Sequence, residues 1–156
     1  MVTARTDLKQ RLFSDMKNSS ALLALLGIVS SDNFRIYSGW PTQQPKLSST
    51  EAAEGWIAFF ELSAVIPWQT LYEDHVFQVN IWATRQAIND ACMDLLDGLW
   101  RRAPVDQDGF QITADWQVVA ASRIMSQETY EQEVKLHRKI CNYQFRTMKI
   151  PWRRGA

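Results

Sequence analysis

The chain has 156 residues, with 17 lysines and arginines balanced by 17 aspartates and glutamates, so its formal net charge is zero. This length fits one domain with a real core, and the balanced charge gives no overall attraction to DNA or to an anionic membrane. No apolar run approaches the ~20 residues that span a bilayer, and the amino terminus lacks a signal-peptide pattern, so we expect a cytosolic product.

The first elements along the chain are two short helices and a brief strand. Apolar spacing over residues 7–16 predicts an amphipathic helix with Thr6 as its cap. A second short helix is predicted over 21–26, closed by Gly27, which suits a left-handed helix end. Residues 34–37 then read as a short strand.

Residues 40–54 are the least regular part of the chain. They contain Pro41, Pro45 and three consecutive Ser/Thr residues, without an apolar period, which predicts a long loop. Loops of this length without structure of their own are uncommon in compact domains and tend to be functional. We interpret this one as a segment that orders against a partner; the alternative is an exposed connection without a function.

A pair of strands follows, on which the rest of the chain is organised. Residues 56–66, rich in aromatic and β-branched side chains, predict a strand that Pro67 ends. Residues 67–70 predict a bend. In 76–82 the apolar residues alternate with polar ones, which predicts a second strand, antiparallel to the first, with one buried face.

From Ala87 the apolar period changes to three and four residues, which predicts an amphipathic helix of about four turns. Three carboxylates fall on its opposite, exposed side: Asp90, Asp94 and Asp97. Thr84 or Asn89 is expected to cap the helix. A helix joined closely to a strand folds back against the sheet, and this contact is the expected core.

The last third of the chain predicts further strands. A breaker cluster at 103–109 indicates a turn, 110–124 fits one bent strand or two short ones, and 126–131 is predicted to be the next turn. The run 134–150 is the longest strand-like segment, and its apolar face changes partway, which indicates a bulge, a strong twist or a strand that projects beyond its sheet. The tail 151–156 is basic and aromatic.

Sequence motifs for catalysis are absent. The chain has no Gly-rich phosphate loop, HExxH, paired CxxC, nucleophile elbow or dinucleotide fingerprint. His75 lies beside Glu73 and Asp74, but polar residues at the start of a strand are usually solvated. Cys92 and Cys141 are interpreted as core residues. We therefore predict no enzymatic activity, no metal and no cofactor.

Two features indicate contacts with other molecules. Seven tryptophans are more than a core of this size easily absorbs, which favours burial of some of them between molecules.

A basic series also runs through the end of the chain: Lys135, Arg138, Lys139, Arg146, Lys149, Arg153 and Arg154. Interleaved with Tyr143, Phe145 and Trp152, it could form a nucleic-acid surface with stacking platforms. Because the chain is neutral, we do not expect strong nonspecific binding; contact with DNA stays an alternative, including passive contact as the lining of a channel.

The segment from Phe34 to Trp100 carries a recognisable order of elements. A brief Arg35-Ile36-Tyr37 strand, a Pro-bearing loop and a further strand precede the Val76–Thr84 strand, which leads into a helix. This order resembles the tail completion and tail terminator proteins of long-tailed bacteriophages. Beyond Gly109 only the layout is similar.

The resemblance implies a single α+β domain over residues 1–156, with an antiparallel β-sheet, a central amphipathic helix and short N-terminal helices on one face. Members of this family assemble into rings, commonly hexameric, that cap the head-proximal end of the tail tube, stop its polymerisation and join it to the head connector. The implied protein is a non-enzymatic virion component, present in the host cytoplasm during assembly. Its expected partners are copies of itself, the tail tube protein and a connector or stopper protein, without a membrane.

Specific contacts follow from this reading. The residues expected at interfaces are Trp40, Pro41, Trp68, Tyr143, Phe145 and Trp152. The residues expected to face a channel or DNA are Lys135, Arg138, Lys139, Arg153 and Arg154. For each tryptophan the alternative is ordinary core burial.

Other functions remain open. A connector stopper and a tail tube protein are near alternatives. In a different class, a small cone-shaped ligand-binding domain or enzyme would use His75, Asp74 and Tyr72 to line a pocket.

Overall fold

The computed structural model describes residues 5–30, 34–42, 55–65, 72–101, 112 and 116–149. Its helices are α1 (Arg5–Lys17), α2 (Ser20–Leu25) and α3 (Gln86–Trp100). Its strands are β1 (Ile36–Ser38), β2 (Gly55–Val65), β3 (Tyr72–Ala83), β4 (Trp116–Glu131) and β5 (Leu136–Lys149). None of these helices combines the length and the apolar character that crossing a membrane requires.

The five strands form one sheet in the order β1-β2-β3-β5-β4. Its pairs are antiparallel except β1 and β2, which run parallel with Ile36 opposite Ile57. Parallel neighbours need a long connection, and residues 39–54 supply one. The α+β class is therefore confirmed, and the prediction of an antiparallel sheet holds for all pairs except the one at β1.

The core lies between the sheet and the helices, which all pack on one face. The alternation predicted for β3 is confirmed, since Phe77, Val79 and Ile81 are buried beneath α3. From α3 the buried apolar side chains are Ile88, Cys92, Leu96 and Trp100. Cys92 and Cys141 are free, buried thiols, as predicted. Helices α1 and α2 complete the layer with Leu8, Leu12, Met16, Leu22 and Leu26.

Two predicted helix caps are wrong. Helix α1 already includes Arg5, so Thr6 lies inside it. Helix α3 follows Arg85, which makes no side-chain capping bond, and Asn89 is buried within the helix. The end of α2 is as predicted, because Gly27 adopts φ +68°.

The predicted turn at 126–131 is also wrong, because β4 continues to Glu131 and the chain turns only over 132–135. Its distal half, residues 124–131, called the β4 arm below, is largely exposed and pairs with β5 alone. The polar residues 126–129 within it resemble a turn in sequence. The apolar residues of β5 change face as predicted, from Leu136 and Ile140 to Cys141, Tyr143 and Phe145, but β5 pairs with β3 continuously from His137 to Met148, without a bulge between these two strands. Odd-numbered residues from Lys139 to Thr147 face the helices, while Ile140 lies on the other face.

Candidate functional site

The face of the sheet opposite the helices, called the outer face below, carries a cluster of aromatic rings. Register places Trp56 of β2 opposite Trp82 of β3, and their rings stack with centroids 5.2 Å apart and an interplanar angle of 6°. Tyr37 meets the Trp56 ring edge-on, and Trp40 lies 5.5 Å from the ring of Phe60. Tryptophans from three chain segments thus meet on one surface.

Arg138 of β5 is built into this cluster. Its guanidinium carbon lies 4.8 Å from the Trp82 ring centroid and 5.6 Å from that of Trp40. Its Nε and one terminal nitrogen both donate to Asn80 Oδ1, at 3.1 and 2.8 Å, and another terminal nitrogen lies 3.6 Å from Glu131 Oε1. The guanidinium of Arg138 is therefore bonded to groups of its own chain.

A groove of about 240 Å³ opens beside the cluster. Its lining combines aromatic faces, one proline, one valine and two carboxylates: Trp40, Pro41, Trp56, Trp82, Glu131, Glu133 and Val134. The indole N–H groups of Trp56 and Trp82 are buried and have no acceptor in the described part of the chain. Aromatic faces beside carboxylates favour a cationic or apolar side chain from another molecule.

The predicted interface residues separate into three groups. Trp40 and Pro41 line the groove, and Trp40 is 54% exposed. Trp68 and Trp152 lie outside the residues that the structure describes. An interface role for Trp40, Pro41, Trp68 and Trp152 stays a prediction.

Tyr143 and Phe145 form the third group, and for them the interface prediction is wrong. Both side chains are buried under α3, with ring centroids 5.1 and 5.7 Å from that of Trp100. Their odd positions in β5 turn them towards the helices, so a neighbouring molecule has no access to them.

The described residues of the predicted basic surface do not share one face. Lys139 faces the helix layer, is 7% exposed and is paired with Asp90 of α3, whereas Arg138 lies on the outer face. Lys135 is exposed in the turn, where it adopts φ 55°. Strand alternation separates Arg138 from Lys139, and the prediction of one face for the three residues is wrong. Arg153 and Arg154 lie outside the described residues.

Two of the three carboxylates predicted to be solvated on α3 are bonded to the sheet. Asp90 pairs with Lys139, and Asp97 accepts a 2.7 Å hydrogen bond from the Tyr143 hydroxyl and a 3.1 Å bond from Arg123 Nε. Burial, followed by the bond to Asp97, raises the pKa of Tyr143 far above that of a free phenol. These bonds fix α3 on the sheet.

The polar side chains at the start of β3 lie on both faces of the sheet. His75 is completely buried on the helix face, where Nε2 donates to Glu73 Oε2 at 2.9 Å and Nδ1 lies 3.5 Å from Glu61 Oε1. Asp74 lies on the outer face, where it pairs with Arg146, whose guanidinium also covers the Tyr72 ring.

The solvated cluster and the pocket of His75, Asp74 and Tyr72 predicted from sequence are therefore both wrong. Glu61 was not anticipated, because it reaches His75 from the neighbouring strand. Among the residues with described positions, no three His, Cys, Asp or Glu side chains are grouped to hold a metal ion.

Comparison with known proteins extends the description of the fold. No family model and no curated protein matches the chain. The fold is similar to that of a chain in the solved virion of a native gene transfer agent particle, with a TM-score of 0.62 and 14% sequence identity. The similarity covers 90% of this chain and 94% of that one. At this identity it concerns the fold alone.

Proposed function

We propose that this protein is a structural, non-enzymatic component of a phage-like virion. In the specific form of the proposal, copies of the chain close into a ring that caps the head-proximal end of the tail tube, stops its polymerisation and joins it to the head connector. The observation that carries the proposal is the fold shared with a virion chain over nearly the full length of both. The resemblance of residues 34–100 to tail terminators supports the finer assignment.

The edge of the sheet at β4 supports assembly with other copies. Over the described residues β4 pairs with β5 on one side only, and its distal half is exposed. The free side of such a strand presents backbone N–H and C=O groups that another chain can pair with. A contact between this edge and a different surface of the next copy is head-to-tail, and contacts of that kind close into rings when the rotation per copy permits.

Exposed apolar side chains mark the same arm. Ile124 and Tyr130 in β4, with Val134 in the turn, are large apolar residues that remain exposed in the single chain. Their burial against a neighbour would stabilise a ring. Four other large apolar residues are exposed away from β4 and its turn: Val29 after α2, Trp40 after β1, and Leu62 and Val65 in β2.

The test is the mass of the purified protein at micromolar concentration, measured by native mass spectrometry with negative-stain images of the same sample. We expect a closed ring in solution or on the end of a tail tube. Adding the protein to a polymerising tube protein should shorten the tubes. Long polymers of this protein alone would instead favour a tube subunit, and a monomer with a copurified small molecule that leaves the tubes unchanged would contradict the proposal.

A matched pair of variants locates the contact. Ile124→Lys places a charge on the β4 arm and should prevent ring closure, because burying an unpaired lysine is costly. Val29→Lys adds the same charge away from the arm and should leave the ring intact. Rings that tolerate Ile124→Lys would exclude β4 as the assembling edge.

A further inference from the structure

We propose that the groove beside Trp40 binds the basic segment Trp152-Arg153-Arg154 of a second copy of this chain. The inference rests on the proposed function only in that it requires copies of the chain to associate. It names the occupant of one contact in the assembly, and three observations support it.

The first is chemical complementarity. Glu133 lines the groove, is exposed and has no partner in the described part of the chain, so it is available to a cation. Trp40 contributes an exposed ring face beside it. A guanidinium stacks on such a face while it donates to a carboxylate, and the Arg153-Arg154 pair supplies two of them.

The second is that this surface already binds one arginine. Arg138 lies against the rings of Trp40 and Trp82 and reaches Glu131, which is the arrangement required for an incoming arginine. Asn80 and Glu131 accept or face the guanidinium of Arg138, and Glu133 is the carboxylate of the groove that remains to attract a further cation.

The third is reach, which favours a segment from another copy. The groove includes Val134 at the start of β5, whereas the tail leaves β5 at Lys149, after a strand that spans about 40 Å. Arg154 is five residues beyond Lys149, a distance of at most about 18 Å for an extended chain. The Val134 end of the groove is therefore beyond the reach of the same chain's tail, a limit that does not apply to the tail of a neighbour.

Cysteine cross-linking tests the contact. Copies with Val134→Cys are mixed with copies carrying Gly155→Cys, which keeps both arginines, and are oxidised under assembly conditions. The native Cys92 and Cys141 are buried and do not compete. We expect at least about tenfold more cross-linked dimer than from a control mixture of Val29→Cys and Gly155→Cys, since Val29 is exposed outside the groove.

Charge reversal provides a second measurement. Glu133→Arg in the Val134→Cys copies should lower the cross-link yield about tenfold, because the partly desolvated contact between Glu133 and an arginine of the tail is lost. Arg153→Glu with Arg154→Glu in the partner copies should restore it. Gln132→Arg, next to the groove but not in its lining, serves as the control and should change the yield little.

The outcomes separate this inference from the proposed function. The inference is overturned if rings form without the cross-link, or if Val29→Cys and Val134→Cys give equal yields of cross-linked dimer with Gly155→Cys. Either result leaves the proposed ring unaffected. Two intramolecular results overturn it as well. One is a cross-link within a single chain that carries both Val134→Cys and Gly155→Cys. The other is a cross-link between Val134→Cys and Lys46→Cys within one chain, which would show that residue 46, and not the tail of another copy, lies at the groove. A monomer without cross-links, in solution and with tail tubes, contradicts both proposals.

Discussion

The hydroxyl of Tyr143 in β5 donates a 2.7 Å hydrogen bond to Oδ1 of Asp97 in the last turns of α3. The bond joins the middle of the sheet to the helix that covers it, and Arg123 of β4 donates to the same carboxylate at 3.1 Å. One carboxylate thus fixes two strands relative to α3.

Removing this hydroxyl should destabilise the fold. We expect Tyr143→Phe to lower the free energy of unfolding by about 1–2 kcal/mol, because a hydrogen bond to a charged group is lost while Asp97 retains Arg123. Tyr130→Phe removes an exposed hydroxyl and should change stability by less than about 0.5 kcal/mol. Urea denaturation measures both, and equal values would show that the Asp97 bond contributes nothing.

Alkaline pH should destabilise the protein through its buried thiols. Burial raises the pKa of Cys92 to about 12, and burial is also the chief reason that the pKa of Cys141 rises to about 12. In the unfolded chain these thiols ionise near pH 9, so their contribution to stability is complete below pH 9 and is lost as pH rises towards 12.

Each thiol should lower the free energy of unfolding by up to ~1.4 kcal/mol per pH unit in this range. Urea denaturation from pH 8 to 11 under reducing conditions measures the slope. A Cys92→Ala and Cys141→Ala double variant is the control and should show a shallower alkaline slope. An unchanged slope would mean that the thiols ionise equally in both states.

Gly55 should tolerate no side chain. A Cβ atom there would lie 2.6 Å from the carbonyl oxygen of Trp82 in the neighbouring strand, and backbone cannot yield as a flexible side chain does. We expect Gly55→Ala to cost about 2 kcal/mol or more. Gly98, on the exposed side of α3, has open space around it, so Gly98→Ala should stabilise by about 0.5–1 kcal/mol. Thermal unfolding of the two variants should therefore shift in opposite directions.

The carboxylates of α3 should differ in their contribution to stability. Asp90→Ala leaves the buried Lys139 without its carboxylate partner and should cost about 1–2 kcal/mol, a value reduced by the partial exposure of Asp90. Asp94→Ala, one turn further along and exposed, should be within about 0.5 kcal/mol of the parent protein. If both variants unfold at the same urea concentration, the ion pair with Lys139 has no net effect.

The sequence predicts local features of this fold better than relations between distant segments. The alternation of Phe77, Val79 and Ile81 and the change of period after Ala87 identify β3 and α3, because each pattern is complete within its own segment. The faces of Tyr143 and Lys139 could not be assigned in this way. Apolar residues occupy both faces of β5, and which face the helices cover depends on strand order, which no local pattern contains.

The candidate site shows the same division. The sequence predicts a contact surface at Trp40 and Pro41, where an irregular segment begins; in the structure both residues line the groove, and their role in a contact stays a prediction. The contribution of Trp82 and of Glu133 could not be predicted, since it requires the register of β2 on β3 and the position of the β4–β5 turn. Both features depend on pairing between residues far apart in the chain.

Strand order also affects how the chain is synthesised. β5 is the last of the five strands but lies between β3 and β4, and its pairing joins Tyr72 to Met148. During translation β3 therefore keeps one edge open until residue 149 has left the ribosome, and β4 has no neighbour in the sheet before then. A nascent chain of this protein remains exposed to mispairing with other nascent chains on the same message until its final strand arrives.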